Sequence, residues 1–321
     1  MITLGDTLHE QTLKPQSEED AWAILEKLRI ERWRLEIVSQ GLQWSGFPGA
    51  LLHSGLGMML ARVSPEVFAV LYGTPVRDVG PRPWWLQPPL DQRLAFAPQD
   101  ILQFELTFVN PAPHWIEACA EAVKELGKAG IGRQRGRFTL HRMEPVPWFA
   151  DAGTASARAA LSGFSSQGSS CTLASMLRQA RPSQPVEHIG LQFVTPVRLK
   201  AERGYVTQPP RAEVLIGRLL GRASMLSGLP THWLPLAAEA QQQAGALRLT
   251  QDELSWDDVT RYSARQKAEM PLGGLTGWLR YSADGPTDAL FSWLAVGEWL
   301  QLGARTTFGL GVYRLVPARY V

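Results

Sequence analysis

The sequence predicts an α+β protein built from two tandem ferredoxin-like domains, with a glycine-rich loop near the C-terminus. Three observations carry this. Residues 1–150 read as β-α-β-β-α-β, the ferredoxin-like order. Residues 186–321 repeat that order of elements without repeating the sequence. Between them, residues 151–185 are rich in Ala, Ser and Gly (Ser165-Ser166-Gln167-Gly168-Ser169-Ser170), the composition of a linker or insertion.

The elements follow in order. Ser17-Glu18-Glu19-Asp20 is a capping-box-like start, and Ala21, Ile24, Leu25 and Leu28 then recur at helical spacing. Trp33, Leu35 and Ile37 alternate as in a strand. Pro48 opens a helix that runs to about Arg62. A Pro-rich connection (Pro75, Pro81, Pro83, Pro88, Pro89) contains a second, poorly defined strand within 84–97. Leu102, Phe104, Leu106 and Phe108 alternate as a half-buried strand. Residues 114–127 read as a helix ended by Gly127, and Phe138 and Leu140 mark the next strand. In the second half, strands are expected at about 188–200, 256–263, 272–282 and 307–316, with helices at 211–227 and 287–301.

Composition sets bounds. The chain has 321 residues, 45% hydrophobic, enough for two cores. Its formal charge is only +2, so any pull on a polyanion must be local. Lys128–Arg142 holds five Lys or Arg and no acid, and Gly303–Val321 holds three Arg and no acid. Two cysteines, Cys119 and Cys171, form neither a metal-ligand spacing nor a disulfide framework, which fits a reducing cytoplasmic setting. No signal peptide and no membrane-spanning run is visible, and no metal or other cofactor is expected.

The densest signal is Leu302-Gly303-Ala304-Arg305-Thr306-Thr307-Phe308-Gly309-Leu310-Gly311-Val312-Tyr313. An apolar helical pattern precedes it and a strand pattern follows. P-loops and dinucleotide fingerprints run strand, loop, helix, so both are excluded. A phosphate here would meet the negative end of a helix. It would have to rely on exposed backbone N–H groups and on Arg305.

This loop is one of four ordered motifs. Upstream lie Arg261-Tyr262-Ser263-Ala264-Arg265-Gln266-Lys267 and Gly273-Gly274-Leu275-Thr276-Gly277. In the first half stands Gly130-Ile131-Gly132-Arg133-Gln134-Arg135-Gly136-Arg137-Phe138. Together they resemble the CRISPR-associated RAMP endoribonucleases that cut repeat RNA. The resemblance covers roughly residues 45–145 and 186–316. It implies two ferredoxin-like (RAMP, RRM-like) domains across a basic cleft. It also implies metal-independent cleavage of CRISPR repeat RNA, a stem-loop, by general acid/base transesterification that leaves a 2′,3′-cyclic phosphate. Partners would be that RNA and other CRISPR effector subunits.

Such chemistry suits histidine for proton transfer and Arg or Lys for the phosphate. Of six histidines, His53 sits in the first-domain helix where the family often keeps its acid/base group. Tyr72 stands in the region where some relatives place a catalytic histidine, so it is the second catalytic candidate. Some relatives also have a histidine where this chain has Gln301. The Cys-rich insert common in this branch is replaced by the cysteine-free stretch 73–91. Candidate RNA contacts are Arg133, Arg135, Arg137 and His141, together with Gly303, Arg305, Thr306, Gly309 and Gly311 of the loop. Trp84 and Trp85 are candidates for stacking on bases. Two alternatives stay open at this point. One is a non-catalytic RNA-binding RAMP subunit of a CRISPR effector complex. The other is a ferredoxin-like protein-interaction or small-ligand module without RNA.

Overall fold

The computed structural model describes residues 15–73, 81–91, 93–148, 170–202, 204–263 and 268–316. The element order is α1 (Glu18–Glu26), β1 (Arg29–Ser39), α2 (Pro48–Val63), α3 (Pro65–Tyr72), β2 (Trp84–Gln87), β3 (Ile101–Val109), α4 (Pro113–Ala129) and β4 (Phe138–Val146). Then come β5 (Ser170–Thr172), α5 (Leu173–Gln179), β6 (His188–Val197), α6 (Ala212–Ser227), α7 (Ala237–Gly245) and β7 (Arg248–Asp257). The chain closes with β8 (Thr260–Ser263), β9 (Ala268–Pro271), β10 (Gly274–Ser282), α8 (Asp288–Leu300) and β11 (Tyr313–Val316).

Two antiparallel sheets form, ordered β2-β3-β1-β4 and β11-β6-β10-β7. In each, the first strand of the unit lies between the third and the fourth, which is the ferredoxin-like arrangement predicted. The short β5 adds to the start of β1, and β8 and β9 form a separate hairpin.

Local chemistry explains most boundaries. Ser17 caps α1, its hydroxyl oxygen accepting from Asp20 N at 3.1 Å. Helix α2 stops at Val63 because Ser64 precedes a proline and is held extended at φ −152°. Pro65 then starts α3. Helix α4 does not end at Gly127 as expected. It continues to Ala129 and turns at Gly130, whose φ of +81° favours glycine. Gly127 has a packing role instead: a Cβ there would lie 2.2 Å from the Phe138 carbonyl oxygen.

Other departures lie in the second half. Instead of one strand at 256–263, β7 runs 248–257 and the β8–β9 hairpin follows. The last strand covers only 313–316, because residues 306–308 form a 3-10 turn. Of the expected linker, 151–169 lie outside the described residues. Its remainder carries β5 and α5. Among the described residues no helix is long and apolar enough to cross a membrane.

The domains share a wall. Alternation sends Leu35, Ile37, Phe104 and Leu106 of the first sheet into a core with α2 and α4. The opposite face sends Ile30, Trp85, Val109 and Val146 into the core of the second domain. Helix α8 lies in that seam and is buried on all sides from Ala289 to Leu300. Its terminal carbonyls lack helical partners, and the first domain supplies donors. Arg32 Nη2 donates to Glu298 O and Trp299 O at 3.1 and 3.2 Å, and Trp85 Nε1 donates to Trp299 O at 2.6 Å. Arg32 is 1% exposed, pairs with Glu105 at 3.4 Å, and lies over the Trp299 ring at 4.4 Å.

Candidate functional site

The site is assembled around the first turns of α2. That helix presents Gly49 and His53, four residues apart and so one above the other, to the loop at 301–312. A Cβ built on Gly49 would lie 2.1 Å from the Phe308 carbonyl oxygen, so only glycine lets the loop come this close. One turn further on, His53 Nδ1 lies 3.0 Å from Thr307 O. Ala50, Leu272, Phe308 and Leu310 form a small apolar cluster beside them.

His53 is half-buried among three rings. Trp84 is parallel to it at 5.5 Å, Phe308 lies at 3.9 Å and Tyr72 at 5.0 Å. The Tyr72 hydroxyl donates to His53 O at 2.8 Å. Burial raises the Tyr72 pKa well above its ordinary value, so the phenol is a neutral donor at working pH. The Thr307 carbonyl can only accept, so the contact places a proton on His53 Nδ1. In the neutral ring, Nε2 is then the basic nitrogen.

The second flank of α2 meets the arginine turn. Arg133 N donates to Ser45 Oγ at 3.2 Å. A Cβ on Gly132 would lie 3.0 Å from that oxygen and 3.9 Å from Leu51 Cδ1. Arg133, Arg135 and Arg137 are all exposed. Helix α2 has no side-chain cap at its N-terminus, so its positive end lies between the arginine turn and the glycine loop. The sequence reading found only a helix C-terminus at the loop. The positive helix end comes from the other domain.

The loop differs from expectation. It was read as a surface cradle whose glycines admit a foreign backbone. Gly309, Gly311 and Thr306 are buried and face protein. At φ +81° and +84°, Cβ atoms on Gly309 and Gly311 would lie 2.7 Å from Pro88 Cδ and 2.1 Å from Leu302 O. A Cβ on Gly303 would lie 2.5 Å from Arg198 O. The N–H groups of Leu302, Ala304, Phe308, Gly309 and Gly311 are bonded to protein carbonyls. Arg305 is the exposed exception, held at φ +66° at the head of the 3-10 turn.

Two further expectations change. Trp84 and Trp85 are fully buried and cannot stack on bases; Trp84 belongs to the His53 cage instead. His141, a candidate RNA contact, is exposed and lies 3.8 Å from Glu36 Oε1, on the sheet face opposite α2. The space between the domains is not a basic cleft. Among the described residues helix α8 fills the seam, and one pocket of about 530 Å³ mixes Arg34 and Arg314 with Glu105 and Asp91.

Sequence reasoning placed Gln301 only where some relatives have a histidine and gave it no role. It is 1% exposed, has φ +60° and ψ 158°, and donates from Nε2 to Leu86 O at 2.8 Å. Its Oε1 is buried without a hydrogen-bond partner among the described residues. An unmet buried acceptor costs about 1–3 kcal/mol, and a left-handed non-glycine residue about 1–3 kcal/mol more. In the sequence its signals were a polar residue directly after an apolar helix and the histidine that some relatives of the resembled family have there.

Residues 191–313 match the family model described as CRISPR-associated endoribonuclease Cas6. Residues 28–155 match a second model, described as an N-terminal domain. The resemblance read from the motifs is thus found again over the stretch that carries the glycine loop. Among solved structures the chain is similar to Thermus thermophilus Cas6, at 19% identity and TM-score 0.55, covering 90% of this chain and 98% of that one. A product complex of that Cas6 gives 20%, 0.56, 89% and 99%. A chain of a partial Cas6-RT-Cas1–Cas2 complex gives 15% and 0.57, covering 90% of this chain and 46% of that one. No curated protein matches the chain.

Proposed function

We infer, with the Cas6 match over residues 191–313 as premise, that this chain is an endoribonuclease that cuts CRISPR repeat RNA into guide RNA. The observation that carries the reading is the His53–Thr307 contact. It joins a helix histidine of one domain to the loop of the other that presents Arg305.

The chemistry follows from these groups. His53 Nε2 takes the proton of the 2′-hydroxyl. The 2′-oxygen attacks the adjacent phosphorus and the bond to the 5′-oxygen breaks. Arg305, the arginine turn and the positive end of α2 meet the phosphate charge. The leaving 5′-oxygen takes a proton from the imidazolium just formed or from water. The products are a 2′,3′-cyclic phosphate and a 5′-hydroxyl, with no metal in any step. Tyr72 supports this as a neutral donor that fixes the helix backbone at His53. Binding partners are the repeat RNA and, by analogy with the Cas6-RT-Cas1–Cas2 complex, other CRISPR subunits.

The competing reading is an RNA-binding subunit that does not cut. Its support is the aromatic cage, which would suit a purely structural His53. Incubation with its own repeat RNA in EDTA separates the two. Cleavage with a cyclic phosphate end supports the enzyme. Binding without cleavage, or cleavage restored only by Mg²⁺ or Mn²⁺, overturns it.

A further inference from the structure

We propose that Gln301 is a positioning residue: its side-chain amide registers the glycine loop on β2 so that the Thr307 carbonyl meets His53. The proposal rests on the catalytic reading of His53 and adds what holds that histidine in its working tautomer.

The argument starts from where the loop is anchored. Gln301 opens the loop at the C-terminal end of α8, and its Nε2 donates to Leu86 O at 2.8 Å. Near the other end of the loop, a Cβ on Gly309 would lie 3.5 Å from the same Leu86 oxygen. One shoulder of the loop is thus bonded to a carbonyl of β2 and the other lies beside the same carbonyl. Two residues earlier, β2 carries Trp84, parallel to the His53 ring at 5.5 Å. Between the shoulders, the 3-10 turn Thr306–Phe308 carries the carbonyl that reaches His53 Nδ1. The amide of Gln301 thus ties the stacking partner and the hydrogen-bonding partner of His53 into one frame. Nothing else explains its cost: a left-handed backbone and a buried Oε1 without a partner among the described residues are kept for a single donated bond. Leu86 O can only accept, so the amide orientation is fixed by that bond.

The test uses the full chain with two substitutions. Gln301→Met keeps volume and removes the donor. Gln301→Gly removes the donor and relaxes the left-handed backbone, so it guards against a variant that simply fails to fold. The decisive readout is the ring-nitrogen NMR signature of His53, with kcat and KM for repeat RNA beside it. We expect a pure Nδ1–H tautomer in the wild type and a tautomer mixture in both variants. We expect kcat to fall about 10²-fold, as for an ångström-scale misplacement, with KM little changed. A folded variant that keeps the wild-type ring signature overturns the proposal, whatever its rate. If His53→Ala cleaves at the wild-type rate, the catalytic reading falls. A tautomer mixture in the Gln301 variants would still uphold the positioning.

Discussion

Gly49 and Phe308 approach each other so closely that a Cβ on the glycine would lie 2.1 Å from the Phe308 carbonyl oxygen. The contact crosses the domain boundary and lies one helical turn before the His53–Thr307 hydrogen bond. It sets how near the loop can come to α2, and so whether that bond can form.

Gly49→Ala should therefore act at a distance. The clash is with backbone, which cannot rotate aside, so the loop must move outward. Overpacking of this kind costs about 1–3 kcal/mol, and a misplaced site about 10²-fold in rate. Thermal unfolding and single-turnover cleavage measure the two effects. Wild-type rate in a folded Gly49→Ala protein would show that the close approach is irrelevant to activity.

His53→Ala should slow cleavage by roughly 10²–10⁴. RNA affinity should stay within about twofold, because the phosphate is met by other groups. Filter binding and single-turnover rates check this. Cleavage at the wild-type rate would end the assignment.

Arg305 and Gly309 should separate cleanly. Arg305 is exposed, so Arg305→Ala should leave stability within about 0.5 kcal/mol. It should flatten the dependence of log affinity on log salt by about 0.7, one single-strand phosphate contact. Gly309 is buried against Pro88 at φ +81°. Gly309→Val should therefore lower the unfolding midpoint first and binding only through it. Weak binding by a fully stable Gly309→Val protein would return the glycine to the RNA surface.

Arg32→Ala should destabilise the whole molecule. It would leave Glu105 to Arg34 and Gln87 alone and remove the side-chain donor from Glu298 O, while Trp85 still donates to Trp299 O. Losing a buried hydrogen-bond donor this way costs about 1–3 kcal/mol. Because α8 packs in a core that the first sheet also lines, unfolding should remain one transition by fluorescence and circular dichroism. Two separated transitions in the wild type would contradict a shared core.

Much of the architecture was legible because it is written in local spacing. Alternation at Leu102–Phe108 and proline at position 48 act within a few residues, and β3 and α2 follow. The motif at 302–313 and His53 were likewise visible as residue types in order. What lies opposite them was not. Gly309 looks the same in sequence whether it meets RNA or Pro88, and Trp84 the same whether it stacks on a base or on His53. Gly127 resembled a helix stop because its partner, the Phe138 carbonyl, comes from another element. Gln301 carried no periodic signal, since its function is one hydrogen bond to a strand 215 positions away.

The same distance has a consequence for timing. His53 and the carbonyl that orients it are 254 positions apart. At about 5–20 residues per second of synthesis, the histidine waits roughly 13–50 s for its partner. During that interval the first sheet and α2 can be complete, with the catalytic helix in place. Yet the ring lacks its fixed proton, and no loop presents Arg305. A chain interrupted between α2 and Thr307 would carry the histidine without the carbonyl that orients it. On the proposed chemistry, competence to cut RNA thus waits for the loop of the second domain.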